Sequence, residues 1–220
     1  MTRRVAVLRP EPGNGATVVA LRRAGLESIA LPLFEITPVG WSPPDQAAFD
    51  GLLLTSANAV RAAGPGLAAL AELSVFAVGA ATAAAARQAG LHVVAEGTDG
   101  VEASVAEAAA QGHGRLLHLA GRDRAATPAG VTTITVYESR EIDLDPAALQ
   151  PIEGQVALLH SPRAARRFAA LATMIDRRTV RLAALSPAVA EAAGGGWAEL
   201  AIAPTRDDAA LIALARRLAD

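Results

Sequence analysis

Four turns in the sequence place hydroxyl or glycine residues between an aliphatic run and an alanine-rich segment. They are Thr55-Ser56, Gly79-Ala80-Ala81-Thr82, Ser161-Pro162-Arg163 and Ser186-Pro187. At the start of a helix, free backbone N–H groups and the helix dipole attract anions. In open parallel sheets, ligands lie at the carboxyl ends of the strands. A single Ser or Thr at such a place is most often only an N-cap, but four in duplicated positions favour a cleft that binds several acidic groups.

Tyr137 is the only tyrosine in the chain and the main candidate for a catalytic side chain. It lies in residues 133–142, where β-branched and polar residues alternate as in a half-exposed strand. A weaker form of the same strand pattern occupies residues 31–39, with Phe34 at the position of Tyr137. A lone tyrosine in a strand is usually structural, but packing alone would accept phenylalanine in both copies. We therefore expect two strands that connect two lobes, one of them carrying a functional hydroxyl.

Three arginines at predicted strand ends are candidates for pairing with substrate carboxylates: Arg9, Arg122 and Arg163. A guanidinium group matches a carboxylate through two parallel hydrogen bonds. Each of these residues taken alone is more often a solvated surface charge.

Composition excludes several kinds of chemistry. The chain has no cysteine, and its 20 basic residues are all arginine, which excludes disulfides, thiolate metal sites and lysine Schiff bases. A net charge of −2 gives no support to nucleic-acid binding. The four histidines show no ligand spacing, so we expect no metal; for His118 and His160 a hydrogen-bonded core role is favoured. Dinucleotide-binding and nucleophile-elbow motifs are absent from the predicted strand ends.

No apolar run approaches the roughly 18 residues that a membrane span requires. The first strand, Val5 to Leu8, is also shorter than the apolar region of about 7 to 15 residues in a signal peptide. We therefore expect a cytoplasmic protein that has no membrane segment.

Strand-like and helix-like segments alternate along the chain, which predicts the α/β class. The order of these segments occurs twice along the chain, which indicates an internal duplication. In it, Ser56 corresponds to Ser161 and Gly79 corresponds to Ser186. The first helix is predicted over Ala16 to Ala24, and the last from Asp207 with Asp207 or Thr205 as N-cap. Only about a dozen residues separate Leu119 from Thr132, so the helix expected in a parallel crossover is shortened or absent there.

Five segments resemble the uroporphyrinogen-III synthase family in their order and spacing. They are Leu8-Arg9-Pro10, Phe49 to Val60, Val78 to Ala83, Val136 to Ser139 and Ser161 to Phe168. The resemblance runs essentially from end to end. It implies two flavodoxin-like α/β lobes joined by a two-stranded antiparallel connector. Residues 1–36 and 142–220 would form lobe 1, residues 40–133 lobe 2, and residues of about 31–39 and 133–142 the connector.

The resemblance implies a lyase that closes the linear tetrapyrrole hydroxymethylbilane and inverts its last pyrrole ring through a spiro intermediate, without cofactor or metal. Tyr137 matches the family tyrosine that is proposed to help the terminal hydroxyl leave, and Thr82 matches a threonine at the cleft. We expect a monomer; the resemblance leaves open a transient contact with porphobilinogen deaminase. The expected substrate-binding residues are Arg9, Thr55, Ser56, Ala57, Gly79, Ala80, Thr82, Arg122, Ser161, Arg163 and Ser186.

The second half of the internal repeat departs from the family pattern at residues 186–189, because Val189 stands where many members have threonine. Ser186 is the candidate to replace that hydroxyl. The residues alone leave two other functional hypotheses open. One is a cytoplasmic two-lobed protein that binds an anionic ligand without catalysis. The other is a sugar-phosphate isomerase, against which the lack of a credible general base counts.

Overall fold

The structure is a computed structural model that describes residues 2–97, 100–124, 126 and 128–220. Strands and helices alternate along most of these residues, as predicted for the α/β class. The strands are β1 (Val5–Val7), β2 (Ser28–Ala30), β3 (Phe34–Pro38), β4 (Gly51–Leu54), β5 (Ser74–Val78), β6 (Val93–Gly97), β7 (Leu116–Gly121), β8 (Val131–Glu141), β9 (Val156–Leu159), β10 (Arg181–Ala184) and β11 (Glu199–Ile202). The α-helices are α1 (Gly13–Arg23), α2 (Ala57–Ala63), α3 (Ala80–Gln88), α4 (Val101–Ala110), α5 (Pro162–Leu171), α6 (Pro187–Ala193) and α7 (Asp208–Ala219). Short 3₁₀ helices cover Gln46–Ala48, Gly64–Leu70, Pro146–Ile152 and Arg177–Thr179.

The chain divides into two compact units. Unit 1 comprises Met1–Glu35 and Arg140–Asp220, and is therefore discontinuous in sequence. Unit 2 comprises Ile36–Ser139.

Unit 1 is built on a parallel sheet with the strand order β11-β10-β9-β1-β2. Short aliphatic strands such as VALL in β9 are fully buried, since helices cover both faces of the sheet. Helices α5 and α6 pack on one face, where Phe168 and Val189 enter the core. Helix α7 packs on the other face with Leu211 and Leu218. The order reverses direction between β1 and β9, which is the kind of place where open α/β sheets bind ligands.

Unit 2 has the strand order β3-β8-β7-β4-β5-β6, in which β4 to β8 are mutually parallel. Helices α2 and α3 cover one face through Ala59, Val60 and Ala83. Helix α4 covers the other through Ala108. Here the order reverses direction between β4 and β7.

The connection from β7 to β8 contains no helix among its described residues, as its length predicted. The two strands are nevertheless parallel, with Leu116 opposite Val131.

Strands β3 and β8 are neighbours, and their backbone hydrogen bonds run antiparallel. Val39 N–H donates to the carbonyl of Val136 at 2.9 Å, and Ile142 N–H donates to the carbonyl of Leu33 at 3.1 Å. The antiparallel connector implied by the resemblance is confirmed.

Helix α1 begins earlier than predicted, at Gly13 rather than Ala16. Proline and glycine at positions 12, 13 and 15 indicated a loop, because both residue types disfavour helix interiors. The Glu11 carboxylate compensates by accepting a hydrogen bond from the N–H of Gly15 at 3.0 Å. At the other end of the chain, α7 starts as predicted, with the Asp207 carboxylate accepting from Ala210 N–H at 2.8 Å.

Candidate functional site

The sheet of unit 2 brings all eight of the predicted site residues in this unit to one edge. The neighbouring strands β8, β7, β4 and β5 are parallel, so their carboxyl ends lie side by side. With strands spaced about 4.8 Å apart, this edge spans roughly 14 Å from β8 to β5. The predicted residues along it are Tyr137, Arg122, Thr55, Ser56, Ala57, Gly79, Ala80 and Thr82.

Ser56 is the N-cap of α2, and its hydroxyl accepts a hydrogen bond from Asn58 N–H at 3.1 Å. Ala57 is the first residue of that helix. The hydroxyl therefore already satisfies one helix donor. It retains its O–H donor and one acceptor lone pair, and the O–H group can donate a hydrogen bond to a carboxylate ligand.

The first backbone N–H groups of α3 donate no hydrogen bond to a capping side chain among the described residues. Gly79 is its N-cap at φ 87°, a left-handed conformation that other residues adopt at a cost. The first N–H groups of a helix have no intrahelical partner, and Ala80 here is exposed. Thr82 is buried, with 5 % of its surface exposed, and its N–H donates to the Gly79 carbonyl at 3.0 Å.

Thr55 contacts a buried histidine. Its Oγ1 lies 3.1 Å from Nε2 of His118, which is 4 % exposed. Burial lowers the pKa of His118 to about 4, with a smaller contribution from the positive charge of Arg124. The imidazole is therefore neutral at pH 7 and is not a general acid. The predicted hydrogen-bonded core role of His118 is confirmed.

Tyr137 is half-buried within β8, opposite Gly121 at the end of β7, and packs against the core that α2 and α3 cover. Its carbonyl accepts a hydrogen bond from Arg122 N–H at 2.9 Å. The Arg122 side chain binds Glu138, with Nε 2.8 Å from Oε2. The guanidinium predicted to bind a substrate carboxylate thus has a carboxylate partner within its own unit.

In unit 1, Ser161 and Ser186 follow the neighbouring strands β9 and β10 and begin α5 and α6. The Ser161 hydroxyl accepts from Ala164 N–H at 3.2 Å and so caps its helix. Ser186 occupies the same position, but its hydroxyl makes no cap hydrogen bond within the described residues. These two serines match Ser56 and Gly79 of unit 2 as N-cap residues.

Arg163 stacks on the phenylalanine that aligns with Tyr137. Its Cζ lies 4.5 Å from the ring centre of Phe34, which is buried. Arg167, one turn later on α5, lies 5.9 Å from the same ring and donates to the carbonyl of Leu33 at 3.3 Å. Phe34 is therefore a packing residue beneath two guanidinium groups.

Arg9 lies on the face of unit 1 that carries α1 and α7, away from the face covered by α5 and α6. Its Nη1 is 2.7 Å from Oδ2 of Asp208, at the start of α7, and 3.5 Å from Oγ1 of Thr17 on α1. Arg9 therefore has a carboxylate partner within its own unit, as Arg122 does.

His160 follows β9 on the same side as Arg9. Among the described residues neither ring nitrogen has a hydrogen-bond partner, and the nearest carboxylate oxygen of Asp208 is 3.6 Å away. The core position predicted for His160 is confirmed, since the side chain is largely buried, but its contact with Asp208 is longer than an ordinary hydrogen bond. Burial, the largest effect, lowers its pKa.

Sequence reasoning missed three partners in these sites. They are His118 as the partner of Thr55, Asp208 as the partner of Arg9, and Gly121, over which the ring of Tyr137 lies. None of these contacts has a local sequence signal, because each joins residues from different strands or helices.

Within the part of the chain that the structure describes, no group of three or more His, Cys, Asp or Glu side chains could hold a metal ion. No helix among these residues is both long enough and apolar enough to cross a membrane.

The sequence matches the family model described as uroporphyrinogen-III synthase HemD over residues 15–213. Among solved structures, the fold is similar to uroporphyrinogen-III synthetase from Helicobacter pylori, with a TM-score of 0.69 and 17 % identity over 98 % of this chain and 99 % of that one. It is also similar to a mutant uroporphyrinogen III synthase from Thermus thermophilus, with a TM-score of 0.52 and 18 % identity over 98 % of each chain. No curated protein sequence matches the chain.

Proposed function

Because this chain belongs to the uroporphyrinogen-III synthase family, we propose that it converts hydroxymethylbilane into uroporphyrinogen III. The observation that carries the proposal is the family match over residues 15–213. The reaction makes the protein a lyase of porphyrin biosynthesis, which removes water as it closes the ring. Units 1 and 2 would be the two lobes of the family fold.

The first chemical step breaks the C–O bond of the terminal hydroxymethyl group. The oxygen takes a proton and leaves as water, and the remaining electron-poor azafulvene is attacked by the last pyrrole ring. Attack at the substituted carbon of that ring gives the spiro intermediate, whose reopening and reclosure inverts the ring. Tyr137 is the proposed donor to the leaving oxygen, through its hydroxyl.

Substrate binding would use the donors at the strand ends of each unit. The substrate carries eight carboxylates, whereas Arg9 and Arg122 already have carboxylate partners at 2.7 and 2.8 Å. Backbone N–H groups and hydroxyls at the starts of α2, α3, α5 and α6 therefore supply the larger part of the recognition. Such positioning contributes several kcal/mol to catalysis without any cofactor.

The enzyme must favour spiro attack over direct head-to-tail closure, which would give the type I isomer. We propose a cytoplasmic monomer that acts on this small-molecule substrate, with porphobilinogen deaminase as its source. The test supplies hydroxymethylbilane in situ with that deaminase and separates the oxidised products into uroporphyrin isomers. Predominant type III supports the proposal, and type I alone from folded protein contradicts it.

A further inference from the structure

The ring of Tyr137 lies directly over the backbone of Gly121. A Cβ at Gly121 would be 2.7 Å from Cζ of the tyrosine, and 2.9 Å from both Cε2 and Oη. Favourable contacts between carbon atoms are about 3.5–4.0 Å, so a methyl group and the ring cannot occupy this space together. The backbone of Gly121 is not in the left-handed region. The ring, rather than the backbone conformation, is what requires glycine here.

A β-bulge brings the two residues into register. Ala120 lies opposite Thr135, but Gly121 lies opposite Tyr137, so Val136 is an extra residue in β8. Consecutive residues of a regular strand point to opposite faces. Here Val136 is buried in the core beneath α2 and α3, and Tyr137 packs against the same core. The bulge has therefore re-aimed the tyrosine, as bulges next to active sites do.

The backbone of Tyr137 is held independently of its ring. Arg122, the residue after Gly121, donates its N–H to the Tyr137 carbonyl at 2.9 Å. An added methyl group at position 121 would therefore displace the phenol more readily than the strand. The hydroxyl, which lies at the far end of the ring, moves with it.

We propose that Gly121 is a positioning residue that fixes where the Tyr137 hydroxyl lies. The absence of a side chain at 121 leaves room for the ring and its hydroxyl end beside β7, and this sets where the O–H group lies. The catalytic part of this inference rests on the proposed function. A displacement of about 1 Å in a reacting group lowers a rate by up to about a hundredfold.

The test uses Gly121→Ala with Gly114→Ala as the matched control, because no described atom lies within 4 Å of a Cβ placed at Gly114. Since Tyr137 is the only tyrosine, a protein with ¹³C-labelled tyrosine rings gives one set of NMR signals, and these report its environment without any substrate. We expect Gly121→Ala to shift these signals and lower kcat by about ten- to a hundredfold, with KM changed less than twofold. Gly114→Ala should do neither.

A double variant separates positioning from a general structural role. In a Tyr137→Ala background the ring is gone, so adding Gly121→Ala should leave folding and residual kcat within twofold of Tyr137→Ala alone. Unmoved tyrosine signals in Gly121→Ala would overturn the proposal, as would shifted signals with unchanged kcat. So would a double variant that fails to fold where Tyr137→Ala folds. If the wild-type protein makes no type III isomer, the proposed function fails, while the NMR signals still decide whether Gly121 positions the ring.

Discussion

The Thr55 hydroxyl lies 3.1 Å from Nε2 of His118, at the point where the strand order of unit 2 reverses direction. Within the described residues the other ring nitrogen, Nδ1, is buried without a partner. Burial lowers the pKa of this histidine to about 4. The imidazole is therefore neutral in the folded protein at pH values where the unfolded chain is partly protonated. The titration of His118 therefore makes the stability of unit 2 depend on pH.

Lowering the pH should destabilise the protein through His118. Its pKa is about 4 when folded and about 6.5 when unfolded, so the unfolded chain binds more protons between these values. Stability is fully present above about pH 6.5 and is lost as the pH falls toward 4. Between pH 7.5 and pH 5.0 we expect a loss of about 2 kcal/mol from this group, measured by urea unfolding at both pH values.

His118→Gln is the control, because the amide retains polar atoms for Thr55 but does not titrate. The difference between the two pH values should shrink by about 2 kcal/mol in this variant. His160 adds a dependence of the same sign, because burial lowers its pKa as well. An unchanged difference in His118→Gln would show that this histidine is not buried in its neutral form.

Tyr137→Phe should keep the fold and lower the rate of uroporphyrinogen III formation. The ring continues to fill the space over Gly121, while the proposed proton donor is lost. We expect kcat to fall by about ten- to a hundredfold, at or below the lower end of the usual contribution of a general acid, with a urea midpoint close to that of the wild type. Unchanged kinetics would remove Tyr137 from the mechanism.

Two serines in equivalent positions should respond differently to alanine substitution. Ser161→Ala removes the cap bond to Ala164 and should cost about 1 kcal/mol of stability. Ser186→Ala removes no cap bond and should leave stability within about 0.5 kcal/mol, but should raise KM if this hydroxyl binds the substrate. Urea unfolding and steady-state kinetics on both variants test this contrast. Equal losses of stability would contradict it.

Arg122→Gln tests whether this side chain exchanges its partner for a substrate carboxylate. The exposed ion pair with Glu138 contributes at most about 1 kcal/mol, so stability should barely change. We expect KM to rise about fivefold with kcat unchanged, because binding lost equally in the ground and transition states raises KM alone. If kcat and KM both stay within twofold, Arg122 serves only to hold Glu138.

Local patterns predicted the parts of the fold that depend on local physics. Aliphatic runs such as VALL in β9 became buried strands, and Ser56, Ser161 and Asp207 became N-caps because each hydroxyl or carboxylate precedes a helix-forming segment. The start of α1 was missed because proline and glycine at 12, 13 and 15 normally break helices, and the Glu11 carboxylate that supports this turn is a tertiary detail.

Contacts between distant segments could not be predicted from residue types. The position of Gly121 beneath Tyr137 depends on a one-residue bulge in the β7–β8 register. The pairing of Arg9 with Asp208 depends on the last helix packing beside the first strand. Candidate residues were therefore recognisable in the sequence, but which of them already have a partner became visible only in the fold.

A coupled assay measures the proposed reaction itself. Porphobilinogen deaminase generates hydroxymethylbilane in the presence of this protein, and the oxidised products are separated into uroporphyrin I and III. We expect predominant type III at a rate proportional to the amount of wild-type protein, and a reduced rate with Tyr137→Phe. Type I alone, at the rate without added protein and with the chain shown to be folded, would contradict it. The fold would then serve an anionic ligand without this chemistry.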